Sequence, residues 1–223
     1  MESVTPPKPQ SLRSYVEDYL RQAILAGKYK AGDRLVEREI CEILNVSRPP
    51  VREALRQLEA DKLISNEMHR GPIVSSMSYE EAEELYKFRA LLESFAVAEF
   101  SRLATYEQIN DLDLAIQKLH EVSDKGDKQL LLTVKADLYN VILNGCGNQL
   151  VKESLLKLLD RVSLLRGTSL VQPNRMTQSL KEIDQMFKFI KSRNYEAAKV
   201  AAYNHIQAAA KVALAVIAAE KNK

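Results

Sequence analysis

Apolar residues recur at helical spacing from the start of the chain, where Leu12, Val16, Leu20, Ala23 and Ile24 form one stripe that stops at Gly27. Residues three and four apart stack on one helix face, so a first helix is expected from near Ser11, with Gly27 as its C-terminal cap. After the turn KYKAGDRL, a short helix over about Glu37 to Leu44 leads through Asn45, Val46 and Ser47 into a third helix of about Arg48 to Ala60. This is helix-turn-helix spacing. Asn45 tolerates the left-handed conformation that the turn requires, and Ser47 suits an N-cap. Pro49 and Pro50 fall in the first helical turn, where a missing N–H costs nothing. The period then changes. Leu63, Ile64 and Ser65, and again Ile73, Val74 and Ser75, are β-prone runs around NEMHRGP, which reads as a hairpin, or wing.

From Ser78 onward the pattern is helical to the end. Ser78 and Glu81 have the spacing of a capping box, and the apolar stripe behind them reaches about Leu103. About six helices are expected in this part. Their breaks fall near Ala104 to Glu107, Ser123 to Asp127, Gly145 to Asn148, Thr168 to Asn174 and Ser192 to Asn194. The expected fold class is therefore mainly α: an N-terminal winged helix-turn-helix with a small β-hairpin wing, then a C-terminal all-α helical bundle. The expected domains are a disordered proline-rich arm at 1–10, the DNA-binding domain at 11–76, a linker at 77–82, and a helical effector-binding and dimerisation domain at 83–223.

Composition narrows the function classes. With 46% hydrophobic residues in 223, the chain can fill two modest cores. Cys41 and Cys146 lie far apart without CxxC spacing, so neither a zinc knuckle nor a disulfide framework is suggested, and a reducing cytoplasm fits. No window approaches the roughly 18 consecutive apolar residues of a membrane span, and no membrane association is expected. Net charge is only +2, so any footprint for a polyanion must lie in the placement of a few arginines. No Ser/His/Asp order, P-loop or glycine-rich nucleotide fingerprint occurs, so no catalytic residue is assigned and the chain does not read as an enzyme.

Those arginines are in the third helix. Arg48, Arg52 and Arg56 recur every four residues, opposite the apolar face of Val51, Leu55 and Leu58. A planar guanidinium can bond both acceptors of a guanine or bridge phosphates. The alternative is a solvated helix whose arginines pair with Glu53, Glu59 or Glu37. The run GDRLVEREICEILNVSRPPVREALRQLEADKLI closely resembles the N-terminal domain of the GntR family of bacterial regulators, over about Ser11 to Val74. The resemblance implies operator contacts from Arg38, Arg48 and Arg52 and a wing glycine at Gly71, while Pro49 replaces the family's usual threonine. The expected DNA-binding set is Arg38, Ser47, Arg48, Pro49, Arg52, Arg56, His69, Arg70 and Gly71. Its partner would be a pseudo-palindromic double-stranded operator read by a homodimer.

In the helical half, Arg89 interrupts the stripe of Ala82, Leu85, Tyr86, Leu92 and Ala96 on its own face. A buried arginine needs an anion, either Glu93 one turn on at the domain surface or a carboxylate held in a cavity. The segments YKFRALLESFAVAEF, CGNQLV and KSRNYEAAKVAAYNHIQAA resemble the all-helical effector domain of the FadR subfamily. That resemblance implies a divalent metal on an aspartate, a histidine one turn later and two further histidines, helping to hold a small organic acid. Here Lys135, Tyr139 and Ile183 stand at three of those positions and only His205 remains, so no metal or other cofactor is expected unless a register shift recruits Asp137 or Asp184. Lys135 is expected to supply the metal's charge, joining Arg89, Tyr139, Arg166 and His205 around a small organic acid or acyl-type anionic effector. The alternatives are a degenerate pocket in a domain that only dimerises, or a helical small-molecule binding protein.

Overall fold

The computed structural model describes residues 11–68, 70–123, 125, 127–169 and 174–221, and within its helices the side chains of all but 128–129, 159–160, 163–169 and 220–221. The expected arm at 1–10, the wing residue His69 and the side chain of Arg166 lie outside the described residues. Two compact units are separated between Ser76 and Met77.

In the first unit, α1 (Leu12–Leu25) is capped by Ser11, whose hydroxyl accepts from the Ser14 amide, and it buries Val16, Leu20, Ala23 and Ile24 as the stripe requires. Next come α2 (Glu37–Leu44) and α3 (Arg48–Ala60), joined through Asn45 at φ 51°, ψ 47°, the left-handed conformation expected for the turn. The wing is β1 (Ile64–Glu67) paired antiparallel with β2 (Gly71–Val74), in register from Ile64 opposite Val74 to Glu67 opposite Gly71. The segment before α2 lies along β2, because the Leu35 amide donates to the Pro72 carbonyl and the Val74 amide to the Asp33 carbonyl. Leu20, Leu35, Ile40, Val51, Leu58, Leu63 and Val74 make the core. Arg21 of α1 ties down the end of α3, donating to Asp61 at 2.5 Å and to Glu17 at 2.9 Å.

The second unit contains six helices among the described residues: α4 (Tyr79–Leu103), α5 (Tyr106–Ser123), α6 (Lys128–Gly145), α7 (Gln149–Ser169), α8 (Arg175–Lys191) and α9 (Tyr195–Lys221). The capping box at Ser78 and Glu81 forms with both of its bonds. Phe100, Leu112, Leu119, Val134, Leu138, Ile142, Ile183 and Ile190 fill the main core between α4, α5, α6 and α8. A smaller core joins α4, α7 and α9 through Ala82, Tyr86, Ala90, Val162, Ile206 and Ala213. Gly145 is compelled by packing, since a Cβ there would stand 2.6 Å from the Phe100 ring. By length and mean hydropathy, 1.3, α9 is apolar enough to cross a membrane. Its apolarity has a local use, however, because Ala198, Ala202, Ile206, Ala210 and Ala213 are buried in the two cores.

Candidate functional site

The first candidate site is the outer face of α3. Burial of Val51, Ala54, Leu55 and Leu58 fixes the helix's rotation, which leaves Arg48, Arg52 and Arg56 exposed along the opposite edge. Arg48 and Arg56 have no hydrogen bond or ion pair among the described residues. Arg52 does have one: its Nε donates to Glu37 Oε2 at 2.9 Å and to Oε1 at 3.2 Å. Pairing with Glu37 is thus realised for one of the three arginines and not for the other two. Arg38 stands 3.8 Å from Glu42, and Arg70 donates to Glu67 at 3.0 Å on the wing. Gly71 has φ +76°, and a Cβ there would meet only open space, so its backbone conformation, rather than crowding, calls for glycine.

Ser47 departs from expectation. It occupies the N-cap of α3, yet its side chain makes no capping bond. An N-cap hydroxyl accepts from the second or third amide of the helix, and here those residues are Pro49 and Pro50, which have no N–H. The prolines that suit the first turn also disarm the cap, leaving the Ser47 hydroxyl exposed beside Arg48 in the chain. One cavity of about 310 Å³ brings Arg52 and Arg56 together with Glu37, Asn66 and Pro72. A second, also about 310 Å³, brings together Arg34, Arg38, Arg48 and Pro72. The start of α2, the edge of α3 and the wing therefore bring five arginines, Arg34, Arg38, Arg48, Arg52 and Arg56, to one face of this unit, with Glu37 among them. Sequence reasoning misses Arg34. The available signal is its place just before α2, where the chain must run beside the wing, and it bridges to Ile73.

The second candidate site is a set of buried charges in the helical unit. The Arg89 and Glu93 side chains are 2% and 4% exposed. Arg89 Nε donates to Glu93 Oε1, and Nη2 donates to Glu93 Oε2 at 3.3 Å and to the Tyr139 hydroxyl at 3.2 Å. The pair with Glu93 is real, but it lies in the interior and not at the domain surface. Burial disfavours the guanidinium's charge, but the Glu93 carboxylate beside it more than holds it, with smaller contributions from Tyr139 and Tyr86; the guanidinium also lies over both rings, 5.6 Å from the Tyr86 centroid and 5.8 Å from that of Tyr139.

One turn before Tyr139, Lys135 is buried and its Nζ donates to Ser179 Oγ at 2.9 Å. Beyond it, Glu182 accepts from Arg175 at 3.0 and 3.1 Å and from His205 Nδ1 at 2.6 Å. Burial alone would raise the Glu182 carboxyl, but His205 and Arg175 hold it below its ordinary value. Burial pushes the His205 imidazole down to about 4, helped by the Lys135 and Arg175 charges and opposed by Glu182. His205 is therefore neutral at pH 7, with its Nδ1 proton on an acceptor-only carboxylate. Along with Glu182, Gln178, Phe189, Val200 and Asn204, it borders an open groove of about 700 Å³ between α8 and α9.

Of the predicted effector residues, Arg89 and Tyr139 touch, Lys135 faces α8, and His205 borders a different groove. Sequence reasoning also misses Arg175, Ser179 and Glu182, although their spacing along α8 places three polar residues on one face. Nor do these residues suit the metal that the resemblance implied. Lys135 is a cation, Ile183 is packed in the main core, and the Glu182 carboxylate is engaged by Arg175 and His205. Asp137 is exposed, and Asp184 pairs on the surface with His120 at 2.9 Å, so neither completes a ligand set.

The buried imidazole carries a pH signature. The unfolded chain protonates His205 below about 6.5, whereas the folded one resists until about 4, so the unfolded state binds more protons in that window. Stability should be lost as pH falls through it, with a limiting slope of about 1.4 kcal/mol per pH unit from this group. His205→Gln should therefore shrink the difference in unfolding free energy between pH 7 and pH 5. An unaltered difference in urea titrations would contradict the neutral assignment.

Comparison with known proteins agrees with both halves. Residues 12–74 match the family model for bacterial regulatory proteins of the gntR family, and residues 84–208 match the FCD domain. The chain is 27% identical over 203 residues to the HTH-type transcriptional regulator YdhC of Bacillus subtilis, covering 89% of this chain and 90% of that protein. In structure it resembles Escherichia coli McbR/YncC, with TM-score 0.78 at 23% identity over 88% of this chain and 94% of that one. A GntR regulator from Rhodococcus sp. RHA1 gives TM-score 0.80 at 24% identity, over 91% and 97%. With a reading helix, a wing and a helical domain each matched in order, the chain belongs to the GntR family of bacterial transcriptional regulators, in the group that carries an FCD domain.

Proposed function

We propose that this regulator acts in the cytoplasm as a homodimer on a pseudo-palindromic operator, and that a small organic or acyl-type anion bound in the helical domain sets its operator affinity. Two copies of the α3 edge would read two half-sites, so the symmetry of the protein would mirror that of the DNA. The ligand would act through its different affinity for two placements of the DNA-binding units.

The observation that carries the ligand reading is a pair of buried polar atoms without hydrogen-bond partners, Arg89 Nη1 and the Tyr86 hydroxyl. Orphaned groups are costly in an interior, and both can donate to a carboxylate. Arg161 Nε on α7 is orphaned as well. Arg89 and Tyr139 would be the first residues met by such an anion, with Lys135 and His205 further along the same buried series. A thermal-shift screen of the full chain against organic acids and acyl-coenzyme A compounds tests this. A hit should raise Tm, and Tyr86→Phe should abolish that rise while leaving the unliganded Tm nearly unchanged. A hit kept at full strength in both Tyr86→Phe and Arg89→Lys would refute the site.

One further observation favours a second reading. Glu93 and Glu182 already neutralise Arg89 and Arg175 from within, as expected of a domain whose pocket has closed and which now serves dimerisation. An empty screen would favour that reading.

A further inference from the structure

We propose that Glu37 positions Arg52 for base reading and thereby sets sequence specificity at the cost of overall DNA affinity; this rests on the reading of Arg52 as a base-contacting residue. Glu37 opens α2 and Arg52 sits in the second turn of α3, so the contact spans the helix-turn-helix motif itself. The contact is made through Nε, which donates to both carboxylate oxygens at 2.9 and 3.2 Å. Neither terminal nitrogen of Arg52 has a partner among the described residues.

That choice of nitrogen has a consequence for recognition. An arginine can present two parallel N–H groups to guanine O6 and N7 either end-on, through its two Nη atoms, or side-on, through Nε and one Nη. With Nε engaged by Glu37, only the end-on fork is left free. The guanidinium plane is also fixed, so less rotamer freedom is lost on binding DNA. A stability role accounts poorly for the pair, because the two side chains are 56% and 33% exposed and such pairs contribute little to folding.

The placement of Glu37 argues in the same direction. It borders both arginine-lined cavities, one containing Arg52 and Arg56 and the other Arg34, Arg38 and Arg48. A carboxylate among these cations weakens attraction to phosphates of any sequence. It subtracts from non-specific binding, while the fork it orients acts only where the correct base is present.

Fluorescence anisotropy at fixed salt tests this, with the duplex recovered from random-sequence selection by the unaltered chain and a scrambled duplex of equal length. Glu37→Gln should bind the scrambled duplex several-fold tighter and lower the ratio of selected to scrambled affinity by about 5- to 10-fold. Glu37→Asp keeps the charge but shortens the arm, so it should lower the ratio without tightening scrambled binding. In an Arg52→Ala background, Glu37→Gln should leave the ratio within about twofold of Arg52→Ala alone. If Arg52→Ala weakens selected-site binding but the ratio survives in Glu37→Gln, or falls equally in the Arg52→Ala background, the positioning role is wrong. If Arg52→Ala leaves selected-site binding intact, the base-reading assignment beneath it fails, and the proposal with it.

Discussion

Replacing Arg89 by leucine should cost the helical domain about 3–5 kcal/mol, the penalty for leaving one member of a buried ion pair without the other. Glu93 would then be a carboxylate 4% exposed, on a helix face lined by Tyr86 and Ala90, without its counter-ion. Glu93→Leu should be comparably severe, since it strands the guanidinium. The joint replacement Arg89→Met with Glu93→Leu should cost far less than the sum of the single changes, because both desolvation penalties disappear together. Urea unfolding followed by circular dichroism measures all three. Single-variant costs below about 1 kcal/mol, or strict additivity in the double variant, would show that the charges are not coupled as described.

Operator binding should fall by about 1–3 kcal/mol, or roughly 5- to 150-fold, in each of Arg48→Ala and Arg52→Ala if these side chains read bases. Both are exposed, so neither change should lower Tm appreciably. Arg56→Ala should behave differently if it meets phosphate: affinity would drop for all sequences, and the salt dependence would lose about one unit of slope. Equal affinity of the unaltered, Arg48→Ala and Arg52→Ala chains for the selected duplex would remove the DNA-reading edge.

What is legible in the sequence is mostly local. Asn45 in its left-handed turn, the box of Ser78 with Glu81, and the stripe of α1 each depend on residues within a turn or two of chain. The capping bond expected of Ser47 fails although it too is local, because Pro49 and Pro50 have no amides to offer its hydroxyl. The Arg89–Glu93 pair is also visible as a spacing, but its depth is not. Burial there is imposed by Tyr139 of α6 and the small core shared with α7 and α9, which no window around Arg89 contains.

The polar cluster on α8 illustrates the remaining limit. A register that selects Ile183 differs by one residue from one that selects Glu182, and one residue turns a helix by about 100°. Ile183 faces the main core, while Glu182 beside it faces His205, 23 positions further along the chain. Periodicity fixes which residues share a face, but only the packing of α8 on α9 decides what that face meets.

The most direct test of the regulator's central activity is selection from random-sequence duplex DNA by the full chain, followed by sequencing. Enrichment of one palindrome whose half-sites lie about one helical turn apart is the expected result. Recovery of no common sequence, or of a single half-site without its mate, would contradict a dimer that reads DNA through the Arg48 and Arg52 edge.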